Sequence, residues 1–143
     1  MFMSNHRLAS YSKILIALFA LTIGLCSTMS ASAATLIEPP AIPVPANLSE
    51  SQIKKAIKIG LTSRGWIVQN EKSGYMEGLL NIRVHQVTVG ITYDQSAVSI
   101  RYLDSKAMRY KEKNGKRKIH KNYNSWVNNI RRDIALELQK AAI

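Results

Sequence analysis

Beyond residue 26 this chain has no cysteine. The single thiol, Cys26, closes an N-terminal apolar run. The rest of the sequence can therefore form no disulfide, no cysteine-ligated zinc site and no thiolate nucleophile. Histidine is almost as scarce. Past the first 33 residues only His85 and His120 remain, and scattered acids give them no metal-ligand spacing. No glycine-rich phosphate loop and no nucleophile elbow occurs. The longest apolar run, Ile14 to Cys26, is shorter than the roughly 20 residues that a membrane-spanning helix needs. Acids are few, 9 against 20 Lys and Arg, which leaves a net charge of +11. No internal repeat is visible, and the expected cofactor set is empty.

What is present begins with the N-terminus. Met1 to Lys13 is polar and carries Arg7 and Lys13, the apolar run ILIALFALTIGLC follows, and STMSASA ends with small residues at Ala31 and Ala33. That order predicts a secretory signal peptide over 1–33, cut between Ala33 and Ala34. The exported chain would then be periplasmic or secreted. A rival processing route would anchor the chain as a lipoprotein at Cys26. Leu25 is the wrong residue before a lipidated cysteine, so Ala31-Ser32-Ala33 is the better cut. The remaining 34–143 is one domain's length and can bury a core without staples. It holds twice as many basic as acidic residues. Such an excess favours anionic partners, although it also serves solubility alone.

Residues 34–48 hold all four prolines, Pro39, Pro40, Pro43 and Pro45, and are expected to form an extended or disordered linker. Helical signals begin at Ser49. Ser49 with Gln52 makes a capping box, and Leu48 can staple onto Ile53. Ile53, Ala56, Ile57, Gly60 and Leu61 share one helical face, and Gly65 ends the helix. Four strands follow. Trp66 to Val68 is short. Gly78, Leu80, Ile82 and Val84 alternate with polar or outward positions. So do Val87, Val89, Ile91 and Tyr93, and then Val98, Ile100 and Tyr102. Period two over successive segments predicts an antiparallel meander with one buried face. The other face would carry Glu77, Asn81, Arg83, Thr88, Thr92, Ser99 and Arg101. A last helix starts near Asn122, a suitable N-cap. Its apolar stripe is Tyr123, Trp126, Val127, Ile130, Ile134, Leu138 and Ala141. The expected fold of 49–143 is therefore α+β, a two-layer sandwich of order α-β-β-β-β-α. A four-stranded antiparallel meander would carry two helices on one face.

Several of these residues resemble a pattern found elsewhere. Gly65-Trp66-x-Val68, Ile100-x-Tyr102-x-Asp104-Ser105 and Ile119-His120-x-Asn122-Tyr123-Asn124-x-Trp126-Val127-x-Asn129-Ile130 are similar to an uncharacterised family of small exported proteins and lipoproteins of Gram-negative bacteria. The resemblance covers about Glu50 to Ile134 and implies a compartment and a fold rather than an activity. The poor context of Cys26 departs from the family's lipoproteins. A looser likeness, resting on Gly65-Trp66-x-Val68 and element order, is to the repeated domain of a lipoprotein subunit of the outer-membrane β-barrel assembly machine. That likeness is one of fold, and function must come from a site.

The strongest chemical signal is the basic loop expected at 105–121. Lys106, Arg109, Lys111, Lys113, Lys116, Arg117, Lys118 and Lys121 face a single acid, Glu112, and Asn114-Gly115 marks a turn. Lys111, Lys113, Lys116, Arg117, Lys118, His120 and Lys121 are the candidate anion-binding residues. They lead into a helix N-terminus, which also attracts anions. The plainer alternative is a solvated loop with no fixed partner. His120, Asn122, Asn124 and Ser125 would form a small polar site, or would simply cap the helix and tie the loop down. Tyr123 and Trp126 read as core.

The expected function is a non-catalytic envelope protein with a basic arm for an anionic envelope component (lipopolysaccharide, lipid or polymer) or for an envelope protein. One alternative is an enzyme acting on an envelope polymer, using His120 with Asp104 or Ser105. Asp-Ser after a strand is also an ordinary turn start. The other is a nucleic-acid or polyanion binder outside the cytoplasm. The charge suits it, but no recognition motif is present, and the polar sheet face lacks stacking aromatics.

Overall fold

A computed structural model describes residues 32–143. The signal-peptide reading and the alternative anchor at Cys26 rest largely on residues 1–31, outside the described part. The unit Ala31–Ile143 carries its own hydrophobic core.

The architecture is α+β. Strands β1 (Ala33–Thr35) and β2 (Ile42–Pro43) precede helix α1 (Glu50–Thr62). The strands β3 (Ile67–Lys72), β4 (Tyr75–Ile82), β5 (His85–Tyr93) and β6 (Ala97–Lys106) form the meander. Then come β7 (Lys111–Lys113), β8 (Lys116–His120) and helix α2 (Asn122–Ala141). All strand pairs are antiparallel. They make a five-stranded sheet of order β2-β6-β5-β4-β3 and a three-stranded sheet of order β1-β8-β7.

The buried face is the one the alternation marked. Met76, Leu80, Val87, Val89, Ile91, Val98 and Ile100 join the apolar stripes of both helices in one core. The capping box at Ser49 and Gln52 is formed from both sides, and Leu48 is buried beneath it. Gly60 lies where α1 meets α2, so close that a β-carbon there would sit 2.5 Å from Ile134 Cγ1. The outward face is polar at Thr92, Ser99 and Arg101. However, a bulge between Thr88 and Val89 shifts the register of β6, and Leu103 lies across the bare backbone of Gly90.

The four-stranded meander is formed by β3 to β6, and β2 extends it at the β6 edge into a five-stranded sheet; two residues of β2 are too few to show a period. The second, three-stranded sheet was not expected. Three expectations need correction. The 34–48 segment is extended, as its prolines require, but it is not a spacer. Leu36, Pro39, Ile42 and Leu48 are buried, Arg131 Nε donates to the Pro40 carbonyl at 3.0 Å, and Val44 N–H bonds to Ser96. Val84 continues the apolar alternation in sequence but sits at the β4–β5 turn, three-quarters exposed. Finally, Asn122 does not cap α2. The helix already begins at Asn122, and Lys121 holds the cap position in helical conformation without a cap bond from its own side chain. A capping side chain needs an extended backbone at its own residue, which a residue inside the first turn lacks.

Candidate anion-binding face

The run from Ser105 to Lys121 is not a loop. β6 continues through Lys106, and β7 and β8 form a hairpin closed by Asn114 and Gly115. Both turn residues have positive φ, 52° and 71°, the conformation of a two-residue turn whose twist matches paired strands. That turn fixes the register: Lys113 opposes Lys116, Glu112 opposes Arg117, and Lys111 opposes Lys118. Opposed residues share a face and successive residues alternate. The four lysines therefore project together from one side, and Glu112 and Arg117 turn to the other.

The two sides differ in chemistry. On the lysine side all four residues are exposed, and β1 extends the surface. Thr35 opposes Lys118 and its hydroxyl accepts a bond from Lys118 Nζ at 3.0 Å. Ala33, Arg109, Asn114 and the four lysines line an open hollow of about 600 Å³. No described acid is ion-paired to any of the four lysines.

On the opposite side the chain neutralises itself. Arg117 Nη2 stands 2.9 Å from Glu38 Oε1, and Tyr110 OH donates to Glu112 Oε2 at 2.9 Å. Tyr110 stacks on Tyr102 with centroids 4.6 Å apart, and Tyr102 meets the edge of Tyr123. The Tyr123 hydroxyl is fully buried without a hydrogen-bond partner among the described residues, as is the second oxygen of Glu38. Burial, reinforced by the Glu38 carboxylate, pushes the Tyr123 phenol well above its ordinary range.

Of the candidate residues, Lys111, Lys113, Lys116 and Lys118 come together on the exposed face. Arg117 does not, because the hairpin register sends it to Glu38. His120 does not either: it is 9% exposed, and its Nδ1 accepts the Asn122 backbone N–H at 3.3 Å. It thus serves an unpaired donor of the first helical turn, as the tying role expected. Its ring lies 5.2 Å from that of His85, whose Nδ1 contacts the Ala107 carbonyl at 3.0 Å. Burial, then the nearby His85, Arg109 and Lys121, hold the His120 pKa below the ordinary imidazole value. Lys121 is exposed at the head of α2 but does not line the hollow. Asn124 instead binds the N-terminal segment, donating to the Thr35 carbonyl at 2.8 Å and accepting from Ile37 N–H at 3.0 Å.

The residues imagined as a triad have other partners. Ser105 Oγ pairs with Tyr102 OH at 3.0 Å, and Asp104 sits opposite Thr88 in the sheet. Among the described residues no three His, Cys, Asp or Glu side chains gather as a metal site, and no helix is long and apolar enough to cross a membrane. Arg109 and Glu38 are the site residues that sequence reasoning left out. The basic run gave a signal for the first, and nothing local gave one for the second. Compared with protein-family models, curated proteins and solved structures, the chain finds no match in any of the three.

Proposed function

We propose that this chain is a non-catalytic binding domain of the cell envelope, exported to the periplasm or beyond, which engages an anionic envelope component through the lysine face. The observation that carries the reading is the hairpin register. It puts Lys111, Lys113, Lys116 and Lys118 on one exposed surface while the acid of the same segment, Glu112, turns to the opposite face, where it accepts from Tyr110 OH. A patch of one sign attracts ligands over roughly a Debye length, about 8–10 Å at physiological salt. The leader-like N-terminus supports export.

The test is salt-titrated binding of the purified protein to lipopolysaccharide, peptidoglycan and DNA. It is repeated with glutamine at all four lysines, and separately with Arg117→Gln. Binding that weakens with salt and is lost in the lysine variant is the expected result. Arg117→Gln should keep the binding but lower the melting temperature, because it leaves the half-buried Glu38 only the more distant Arg101, 3.9 Å away. Undiminished binding by the lysine variant would overturn the assignment. A strong preference for DNA over the other polyanions would favour the nucleic-acid alternative.

A further inference from the structure

We infer that the basic hollow takes a linear acidic polysaccharide, laid along the seam between β7 and β8. This rests on the anion-binding reading above and names the partner. The first observation is the repulsion built into the hairpin. Its register sets Lys113 directly against Lys116, and Lys111 directly against Lys118. Like charges directly opposite one another destabilise a strand pair. No described acid is ion-paired to any of the four lysines, and the one acid of the hairpin, Glu112, turns to the other face. An anionic chain between the two rows neutralises both members of each pair at once. Opposed residues stand about 5 Å apart, and the second pair follows about 7 Å along the strands. The arrangement therefore calls for a series of negative charges spaced along a line.

The second observation is the form of the hollow. The His120 N–H bonds to the Met108 carbonyl and Ala33 pairs with His120, so Arg109 and Ala33 stand at the base of the hairpin. Asn114 stands in its turn. The hollow lined by these residues and the four lysines thus runs the length of the ribbon and is open to solvent. Arg109 adds a fifth cation at one end, with a planar guanidinium fork that fits a carboxylate or sulfate through two parallel bonds. A site for a compact ligand encloses most of that ligand's surface, which an open trough does not. A flat membrane would meet the rims of the trough and not its floor. The lining holds no aromatic side chain, so nucleic-acid bases find no stacking platform. It does hold the Asn114 amide for sugar hydroxyls, and the methylene stems of the lysines for the apolar faces of the rings.

The experiment is salt-titrated binding of the purified protein to heparin disaccharide and heparin dodecasaccharide. Inorganic phosphate, oligothymidine and vesicles of phosphatidylcholine mixed with phosphatidylglycerol are parallel arms. Three proteins are compared: wild type, Lys113→Gln/Lys116→Gln, and Lys55→Gln/Arg132→Gln, which makes the same charge change on the helices. Circular dichroism confirms that each is folded. Wild type should bind the dodecasaccharide far more tightly than the disaccharide or phosphate. Each cation that neutralises a charge on a single-stranded polyanion adds about 0.7 to the fall of log affinity with log salt. The slope should be about −3.5 with all five cations engaged and about −2 in the hairpin variant, while the helix variant keeps the wild-type slope. An equal change in the helix variant would overturn the site, since net charge alone would then be at work. Hairpin-dependent binding of phosphate or the disaccharide as tight as that of the dodecasaccharide would overturn the polysaccharide and leave the anion-binding reading standing. So would a preference for oligothymidine or for the vesicles. Failure to bind any of these would remove both.

Discussion

Replacing Gly60 with alanine sets two effects against each other at the helix–helix contact. Alanine is the better helix former, worth about 0.5–1 kcal/mol in a helix interior. Against that, the added methyl would stand 2.5 Å from Ile134 Cγ1, 2.8 Å from Ile134 N and 3.0 Å from Ile134 Cα. Unbonded carbons prefer about 3.5–4.0 Å, so the helices would have to part by up to about 1 Å. Overpacking of this kind costs about 1–3 kcal/mol, and the upper end applies where the obstacle is backbone, which has no rotamer to change. The net expectation is a loss of about 1–2 kcal/mol, or a melting temperature lower by at least about 4 °C. Thermal unfolding followed by circular dichroism reads it. The double change Gly60→Ala/Ile134→Ala sharpens the test. It removes Cγ1 but leaves N and Cα in place, so the clash should be relieved only in part. A Gly60→Ala protein as stable as wild type, or more stable, would refute the close approach and show propensity winning.

Three further outcomes are expected. Tyr123→Phe should leave the urea midpoint unchanged or raise it, because the hydroxyl it removes is buried with no partner among the described residues; a loss above about 1 kcal/mol would reveal a bond to that oxygen. His120 has a folded pKa below its ordinary 6.5, so the unfolded chain binds the proton more readily. The stability it contributes is present above about pH 6.5 and is lost as pH falls from there toward the lower folded pKa. Melting temperatures measured downward through that window should decline, and His120→Gln, whose amide oxygen can still accept the Asn122 N–H, should flatten the decline; an unchanged slope would assign it to other groups. Asn124→Ala removes both bonds to Thr35 and Ile37 and should cost about 1 kcal/mol. Amide exchange at Ile37 should then speed up more than exchange in β5, whereas uniform acceleration would mean the segment does not loosen by itself.

The helices and the central strands were legible because each carries its own period. Ile53 to Leu61 repeats at helical spacing, and Val87 to Tyr93 alternates, so each announces which side it buries. The basic hairpin was not legible by that route. Lys111-Glu112-Lys113 and Lys116-Arg117-Lys118 are polar at every position, so hydropathy shows no alternation although the strands alternate. Only Asn114-Gly115 hinted at pairing. β1 and β2 are three and two residues long, and prolines beside β2 speak for a linker. Their place comes from distant partners: Ser96 and Val98 for β2, Lys118 to His120 for β1.

By itself the sequence determined the α+β class, the core faces of α1, α2 and β4 to β6, and the excess of positive charge concentrated between Lys106 and Lys121. These follow from local periodicity and composition, which need no knowledge of what lies opposite. Tertiary structure alone decided which of those charges stand together. Arg117 and Lys118 are neighbours in the chain, yet one pairs with Glu38 and the other faces water. The reason is that a strand sends successive side chains to opposite faces, and which face is inward is set by the core beneath the hairpin. Pairing of the N-terminal segment with β8 made the same decision for Glu38 and Ala33. It brought one to the buried side and the other to the rim of the lysine hollow.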